Sequence, residues 1–305
     1  MTDPAALQLL APADDEAHQR FIDLVAQVRP ELFRYCSRMT GSVFNGEDIV
    51  QETLAKAFGA LPRFAEPPAL RPWLFRIAHN AAMDFLKRYE RKHVDLVAEF
   101  PETAAAEEGG VDPDLVEAAL ARFAELPPLQ RSALVLKDVL GHSLVETAAT
   151  MGTTVSAVKS ALVRARASLA SEAATREPPP ARELPAAERE NLRRYAELFN
   201  KRDWDALRGL LGEESRLDLV SRTQRRGAGV AEYYTRYADG APREDLRAEV
   251  GWVDDVAVIA MFRPASSATP SYFILLEWGG PQIRRIRDFR HVPYIAEGAR
   301  YRRAW

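Results

Sequence analysis

Three consecutive prolines, Pro178 to Pro180, divide this chain into two stretches that obey different periodicities. Proline fixes φ and removes a backbone donor, so neither a helix nor a sheet ladder runs through such a triplet. The surrounding SEAATREPPPARELPAA, residues 171–187, is stiffened toward an extended conformation. Before it, apolar residues recur at helical spacing and no strand signal occurs. After it, two helical stretches give way to Val- and Ile-rich alternating runs at 246–263 and 271–292, the pattern of an α+β domain. A second break falls at residues 94–114, where Asp95, Glu99, Glu102, Glu107, Glu108, Asp112 and Asp114 occur without a single base. The prediction is a multidomain chain. Two all-α modules occupy 20–93 and 113–170, an acidic linker 94–112 and a proline-rich linker 171–185 follow them, and an α+β module fills 186–305. No internal repeat is present.

Whole-chain averages conceal this segregation. Lys plus Arg number 41 against 44 Asp plus Glu, a net charge of -3 that on its own argues against a nucleic-acid binder. Cys36 is the single cysteine, which excludes an internal disulfide and a Cys-based zinc site. No run of about 18 apolar residues exists to cross a membrane. Asp14, Asp15 and Glu16 stand where a secretory leader needs basic and then apolar residues. The expectation is a cytoplasmic protein without a metal or a cofactor.

In the first module, NGEDIVQETLAKAFGAL places Ile49, Val50, Leu54, Ala57, Phe58 and Leu61 on one helical face. Asp48, Gln51 and Glu52 come together on the opposite face, which for a lone helix reads as solvated surface. After a proline-rich loop comes WLFRIAHNAAMDFLKRYERKH, with Trp73, Ile77, Ala81 and Phe85 as its expected core stripe. Arg76, Asn80, Met83 and Lys87 share another face, and Lys87, Arg88, Arg91, Lys92 and His93 make the helix end basic. Cations beside amide and aromatic groups are what single-stranded DNA needs for phosphate contact and base stacking. A basic helix C-terminus also satisfies the helix dipole.

The second module reads as a helix-turn-helix. A helix over Leu126 to Leu140 is started by Pro127 and Pro128 and stopped by Gly141. Ser143 and Glu146 form an S-x-x-E capping box for a short helix that closes at Gly152. Thr154 caps the last helix, on which Val158, Leu162, Ala165 and Leu169 repeat as a core stripe. The opposite face holds Ser156, Lys159, Ser160 and Val163, flanked by Arg164 and Arg166. Small central groups permit close approach to a major groove while cations at the edges reach phosphates. A plain helical hairpin is the alternative.

On GEDIVQETLAKAF, PWLFRIAHNAAMDFLKR and LPPLQRSALVLKDVLGHS...AVKSALVRAR, about half the chain resembles an extracytoplasmic-function (ECF) sigma factor of the sigma-70 family. The resemblance implies that 20–93 is region 2 and 113–170 region 4, with core RNA polymerase and promoter DNA as partners. It assigns Asp48, Gln51 and Glu52 to the polymerase clamp helices and the loop Leu61 to Pro72 to an unpaired -10 base. Arg76, Asn80, Lys87 and Arg88 would hold the opened strand. Ser156, Lys159, Ser160, Arg164 and Arg166 would meet the -35 element. The acidic linker would thread the polymerase's RNA-exit path as a nucleic-acid mimic, or act as a simple tether. Where most members read T-V-K-S-R, this chain has Ala157, Val158, Lys159, Ser160 and Ala161, so a hydroxyl and an arginine are missing. A good bidentate base contact discriminates by about 1–3 kcal/mol, so -35 readout must rest on other residues.

In the third module, FNKRDWDALRGLL resembles the opening of SnoaL-like domains, whose curved antiparallel sheet wraps helices into a cone. Trp204, Tyr233, Tyr234, Trp252, Phe262, Tyr272, Phe273 and Phe289 either line a pocket for a small ligand or form ordinary core. Asp218, Asp288 and His291 are the candidates for acid–base work, though no spacing singles them out and no enzyme is expected. Behind a sigma factor such a domain would regulate. The glycine-rich D-G-G-G-K motif of some such proteins is not found. The basic stretch Arg284, Arg285, Arg287, Arg290, Arg300, Arg302 and Arg303 is either a surface for DNA or the acidic linker, or a charge-guarded edge strand. Two other functions compete: a one-component regulator with a ligand-binding cone, which leaves the first module unexplained, and a SnoaL-like isomerase or cyclase.

Overall fold

The computed structural model describes residues 15–60, 69–92, 125–171, 183–240 and 245–304. The acidic linker 94–112, residues 61–68 of the expected -10 loop and residues 172–182 lie outside them. The chain divides into two compact units between Pro178 and Pro179, within the proline triplet.

The first unit is helical. Helices α1 (Asp15–Thr40), α2 (Val43–Ala60) and α3 (Leu70–Lys92) bury Leu32, Phe33, Met39, Phe44, Ile49, Val50, Leu74 and Phe75 among themselves. The reversal between α1 and α2 passes through Gly41 at φ 69°, a left-handed value that glycine adopts without strain. A few residues on, the helices approach so closely that a Cβ at Gly46 would lie 2.6 Å from the Ser37 backbone. On α2, Leu54 and Phe58 are half-buried, and Glu47 is buried against Arg29 at 2.5 Å.

On α3 the expected core stripe is corrected. Ala81 is buried, but Trp73, Ile77 and Phe85 are only half-buried, and the deepest positions are Leu74, Phe75, Ala78, His79, Ala82 and Leu86. The reason is tertiary: α3 packs against α1 and α2 on one side and against the helices of the second module on the other, so a second face is drawn inward.

Those later helices are α4 (Pro128–Leu134), which continues as a π-helical turn over Val135–Val139, then α5 (Leu144–Met151) and α6 (Val155–Ser171). The local stops and starts fall where sequence places them. Gly141 has φ 72°, Ser143 Oγ accepts from Glu146 N while Glu146 accepts from Ser143 N, and Gly152 closes α5 at φ 63°. Thr154 Oγ1 accepts from Ala157 N at 3.1 Å, capping α6. Val158, Leu162 and Ala165 are buried and Leu169 is half-buried.

The two helical modules share an interface. Tyr35 Oη, His79 Nδ1 and Ser132 Oγ form a closed triangle with edges of 2.8, 2.9 and 3.0 Å, all three residues being buried. Arg131, also buried, donates to the Met39 carbonyl across the interface and to Leu126 O at 3.0 Å. At its rim, Arg71 donates to both Glu31 oxygens at 2.5 and 3.1 Å and contacts His142 Nε2 at 3.1 Å. Cys36 is fully buried beside this network, and burial pushes its thiol well up, which makes it an inert core residue.

The second unit opens with α7 (Ala186–Asn200) and α8 (Trp204–Arg208), and a seven-stranded sheet follows. Its strands are β1 (Leu211–Leu219), β2 (Thr223–Arg226), β3 (Arg247–Val253), β4 (Val256–Phe262), β5 (Tyr272–Gly279), β6 (Gln282–Asp288) and β7 (Tyr301–Arg303). Helix α9 (Ala231–Gly240) lies between β2 and β3, and the short α10 (Tyr294–Glu297) precedes β7. The spatial order is β2-β1-β6-β5-β4-β3-β7, with neighbours antiparallel except for the parallel β1–β6 pair. The Asp254-Asp255 turn, at φ 49° and 59°, breaks the apolar run 246–263 into two strands. That run reads as nearly continuous because both faces are buried. Ile259 and Met261 join the core formed with Tyr195, Phe199 and Tyr234 of the helices. Phe262 and, on β5, Phe273 meet Tyr301 instead.

Candidate nucleic-acid interface

The exposed face of α6 is the one sequence picks out. Ser156, Lys159, Ser160 and Arg164 are exposed, and Val163 is half-buried between them. Ala157 is exposed too, whereas Ala161 is buried at 5 %. Of the two departures from the family pattern, only position 157 therefore faces outward. Arg166 behaves differently from its neighbours. Its guanidinium grips Asp138 at 2.9 and 3.1 Å, a two-bond pair that braces α6 against the π-helical turn that continues α4.

In the first module, Arg76, Asn80, Lys87 and Arg88 all lie exposed on α3, and Met83 is half-buried among them. Phe85 stacks on Tyr89 at 6.3 Å, leaving Tyr89 52 % exposed at the basic end of the helix. Helical periodicity alone assigns Phe85 to a core stripe and does not pick out Tyr89. Their i, i+4 spacing is the signal that joins the two rings on one face. The side chains of Arg91 and Lys92, with His93, lie outside the described residues. On α2, Asp48 is exposed and Gln51 and Glu52 are half-buried. Glu52 pairs with Lys56 at 2.6 Å, and Gln51 donates to the buried Glu47 at 3.4 Å. Of the acidic groups on this helix, Asp48 and Glu52 thus face outward and Glu47 lies with the apolar residues.

The second unit brings its three acid–base candidates to no common opening. Asp288 is fully buried and accepts from Tyr233 Oη at 2.9 Å, Tyr237 Oη at 3.2 Å and Arg290 N at 2.9 Å, with Arg290 Nε at 3.3 Å. Burial raises its carboxyl above the ordinary value while Arg290 opposes the rise. Asp218 is paired with Arg285 and Arg287 at 3.4 and 3.5 Å, and His291 is exposed. Of the eight aromatic residues, Tyr233, Tyr234, Trp252, Phe262, Tyr272, Phe273 and Phe289 are buried and Trp204 half-buried; Tyr233, Tyr234 and Tyr272 belong to the main core, against which Trp204 packs. An open cleft of about 300 Å³ runs instead along α7 and β3, between Arg193, Asn200, Arg247 and Glu249, and none of the eight lines it. The edge-strand reading of the basic stretch is corrected as well. Only Arg302 and Arg303 lie on the edge strand β7, while Arg284, Arg285 and Arg287 belong to β6, an interior strand.

No described helix is long and apolar enough to cross a membrane. Among the described residues, no group of three His, Cys, Asp or Glu side chains is placed to hold a metal ion.

A helix-turn-helix with a small-and-basic outer face is packed onto a three-helix module that exposes Asp48 on α2 and Arg76, Asn80, Lys87 and Arg88 on α3. Residues 24–92 match the family model for sigma-70 region 2, and residues 117–169 that for sigma-70 region 4. The chain belongs to the ECF sigma factors of the sigma-70 family. It is 33 % identical over 236 residues to the ECF RNA polymerase sigma factor SigG of Mycobacterium tuberculosis strain H37Rv, covering 66 % of this chain and 62 % of that one. It is 30 % identical over 176 residues to ECF sigma factor SigC of Mycobacterium tuberculosis strain CDC 1551, covering 56 % of this chain and 94 % of SigC. Among solved structures it is similar to the Mycobacterium tuberculosis extracytoplasmic function sigma factor SigJ, at 20 % identity and a TM-score of 0.36, over 88 % of this chain and 95 % of that one. The chain thus spans about 62 % of the length of relatives such as SigG.

Proposed function

We propose that this chain directs promoter-specific transcription initiation by bacterial RNA polymerase in the cytoplasm, with core polymerase and promoter DNA as its partners. The observation that carries the reading is the exposed Ser156, Lys159, Ser160 and Arg164 face of a capped helix-turn-helix, held in one compact unit with the exposed Arg76, Asn80, Lys87 and Arg88 face of α3. In this reading residues 20–93 bind core polymerase and the -10 strand, and residues 113–170 read the -35 element. Asp48, Gln51 and Glu52 dock on the polymerase. Arg166, through Asp138, positions α6 rather than contacting phosphate. The SnoaL-like module at 186–305 regulates the other two by binding rather than by turnover. A one-component regulator would need only the helix-turn-helix, and the acidic and aromatic-basic faces of the first module would have no use.

Reversing one charge at the docking face supplies the test. Asp48 is exposed on α2, so Asp48→Arg leaves the core intact. The expected result is a loss of affinity for core polymerase of about tenfold or more, on the scale of a lost charge pair at an interface, with an unchanged unfolding midpoint. Unchanged affinity in a direct binding titration removes the docking assignment.

A further inference from the structure

The strand order of the second unit brings together cations that lie far apart in sequence. On the face of the sheet turned away from the helices, Arg226 of β2, Arg216 of β1 and Arg285 of β6 occupy directly opposed positions on three neighbouring strands. The register sets that face: Leu217 and Ile286 point into the core shared with α7 and α9, so the positions next to them point outward. Strands about 4.8 Å apart spread the three arginines over about 10 Å. Like charges directly opposite one another destabilise a sheet, and nearby carboxylates answer only part of this row. Arg285 reaches Asp218 at 3.4 Å and Glu277 at 3.6 Å, and Arg287, two residues further along β6, shares the same Asp218 at 3.5 Å. The side chains of Arg216 and Arg226 are exposed and, among the described residues, make no hydrogen bond or ion pair. Glu214, also exposed on β1, lies beyond the register break that precedes Arg216.

We propose that this outer face, centred on Arg216, Arg226 and Arg285, is a binding surface for the phosphate backbone of duplex DNA. The choice of DNA rests on the sigma-factor reading, in which the two helical modules already hold promoter DNA, and it gives the C-terminal module a partner of its own. Each strand of a duplex carries one charge per about 3.4 Å of axis, so about 10 Å of one strand presents about three phosphates to the three arginines. Arginine suits them because its planar fork meets phosphate oxygens with two parallel N–H bonds. Contacts to phosphate fix position and carry no sequence information, so the surface adds affinity on any sequence.

The test titrates the full chain with two duplexes of equal length and unrelated sequence, at salt concentrations from about 50 to about 200 mM. Each phosphate neutralised contributes about 0.9 to the log–log fall of affinity with salt. Arg216→Gln/Arg226→Gln is expected to flatten that slope by about 2 on both duplexes, so that over this range the wild-type affinity falls about tenfold further than the variant's. Arg226→Glu, the second variant, sets a carboxylate opposite Arg216, and opposed charges of unlike sign stabilise a sheet. A loss of DNA affinity in that variant is therefore not a loss of fold, and it is expected on both duplexes. A synthetic peptide of the acidic residues 94–114 probes the competing occupant. Equal slopes in the wild type and both variants, a change confined to one duplex, or binding of the peptide through Arg216 and Arg226 in place of DNA overturns the proposal. A flattened slope without promoter-specific initiation leaves the surface standing and removes the sigma reading; initiation with equal slopes does the reverse.

Discussion

Asp288→Ala is expected to destabilise the C-terminal unit by about 3 kcal/mol, with loss of cooperative unfolding before any loss of a chemical activity. Removing one member of a buried ion pair costs about 3–5 kcal/mol because its partner is left uncompensated. Here the partner is Arg290, whose guanidinium carbon lies 4.1 Å from the Tyr237 ring centre and 5.6 Å from that of Tyr272. Two tyrosine hydroxyls, those of Tyr233 and Tyr237, and the Arg290 amide lose their acceptor as well. The lower end of the range applies because the Arg290 side chain keeps 23 % exposure and because burial already disfavours the ionised carboxylate. Asp288→Asn retains an acceptor and should cost distinctly less. Urea unfolding of the three proteins followed by tyrosine and tryptophan fluorescence reads both differences. An intact fold with lost turnover of a small molecule would instead support the isomerase or cyclase reading.

The helical unit is expected to lose about 3 kcal/mol of stability between pH 6.5 and pH 4, largely through one imidazole. Burial pushes His79 down from its ordinary 6.5 to about 4. Between those values the unfolded chain binds a proton that the folded one refuses, so stability rises with pH across the window. The contribution is fully present above pH 6.5 and disappears progressively as pH falls toward 4, at about 1.4 kcal/mol per unit. His142 is held below its ordinary value by burial, with Arg71 adding to the effect, and contributes with the same sign. The hydroxyls around His79 explain why neutrality is tolerated. An unprotonated Nδ1 accepts a hydrogen bond from Tyr35 or Ser132, and burial pushes the Tyr35 phenol up, so it remains protonated and available as a donor. Chemical denaturation at half-unit steps should show the slope in the wild-type protein and a much flatter profile in His79→Gln. A flat wild-type profile would mean that His79 reaches water and that the interface is open.

What sequence could reveal was what depends on near neighbours. The Ser143 and Glu146 box, the Gly141 and Gly152 stops and the Val158, Leu162, Ala165 stripe are all set within one or two helical turns, and each is found where spacing puts it. The exposure of Ser156, Lys159, Ser160 and Arg164 on α6 follows from the same periodicity. The interface between the modules did not, because Tyr35, His79 and Ser132 are separated by 44, 53 and 97 positions and each reads as an ordinary polar residue in its own helix. For the same reason the stripe on α3 was displaced: periodicity finds one apolar face, and a helix packed on two sides needs two. In the sheet, the alternating runs were visible but strand order was not. Placing β6 between β1 and β5 turns Arg285 and Arg287 into partners of Asp218, which no local pattern of charge foretells. The short strands β2 and β7, rich in arginine, carry too little apolar alternation to be read as strands at all.

In vitro transcription with purified core RNA polymerase tests the central claim most directly, using promoter fragments enriched from genomic DNA by the complex of core and this protein. The full chain is expected to start transcripts at a defined position on those fragments where core alone starts none, and to lose that activity on Asp48→Arg. Absence of position-specific initiation by the wild-type chain would contradict the account.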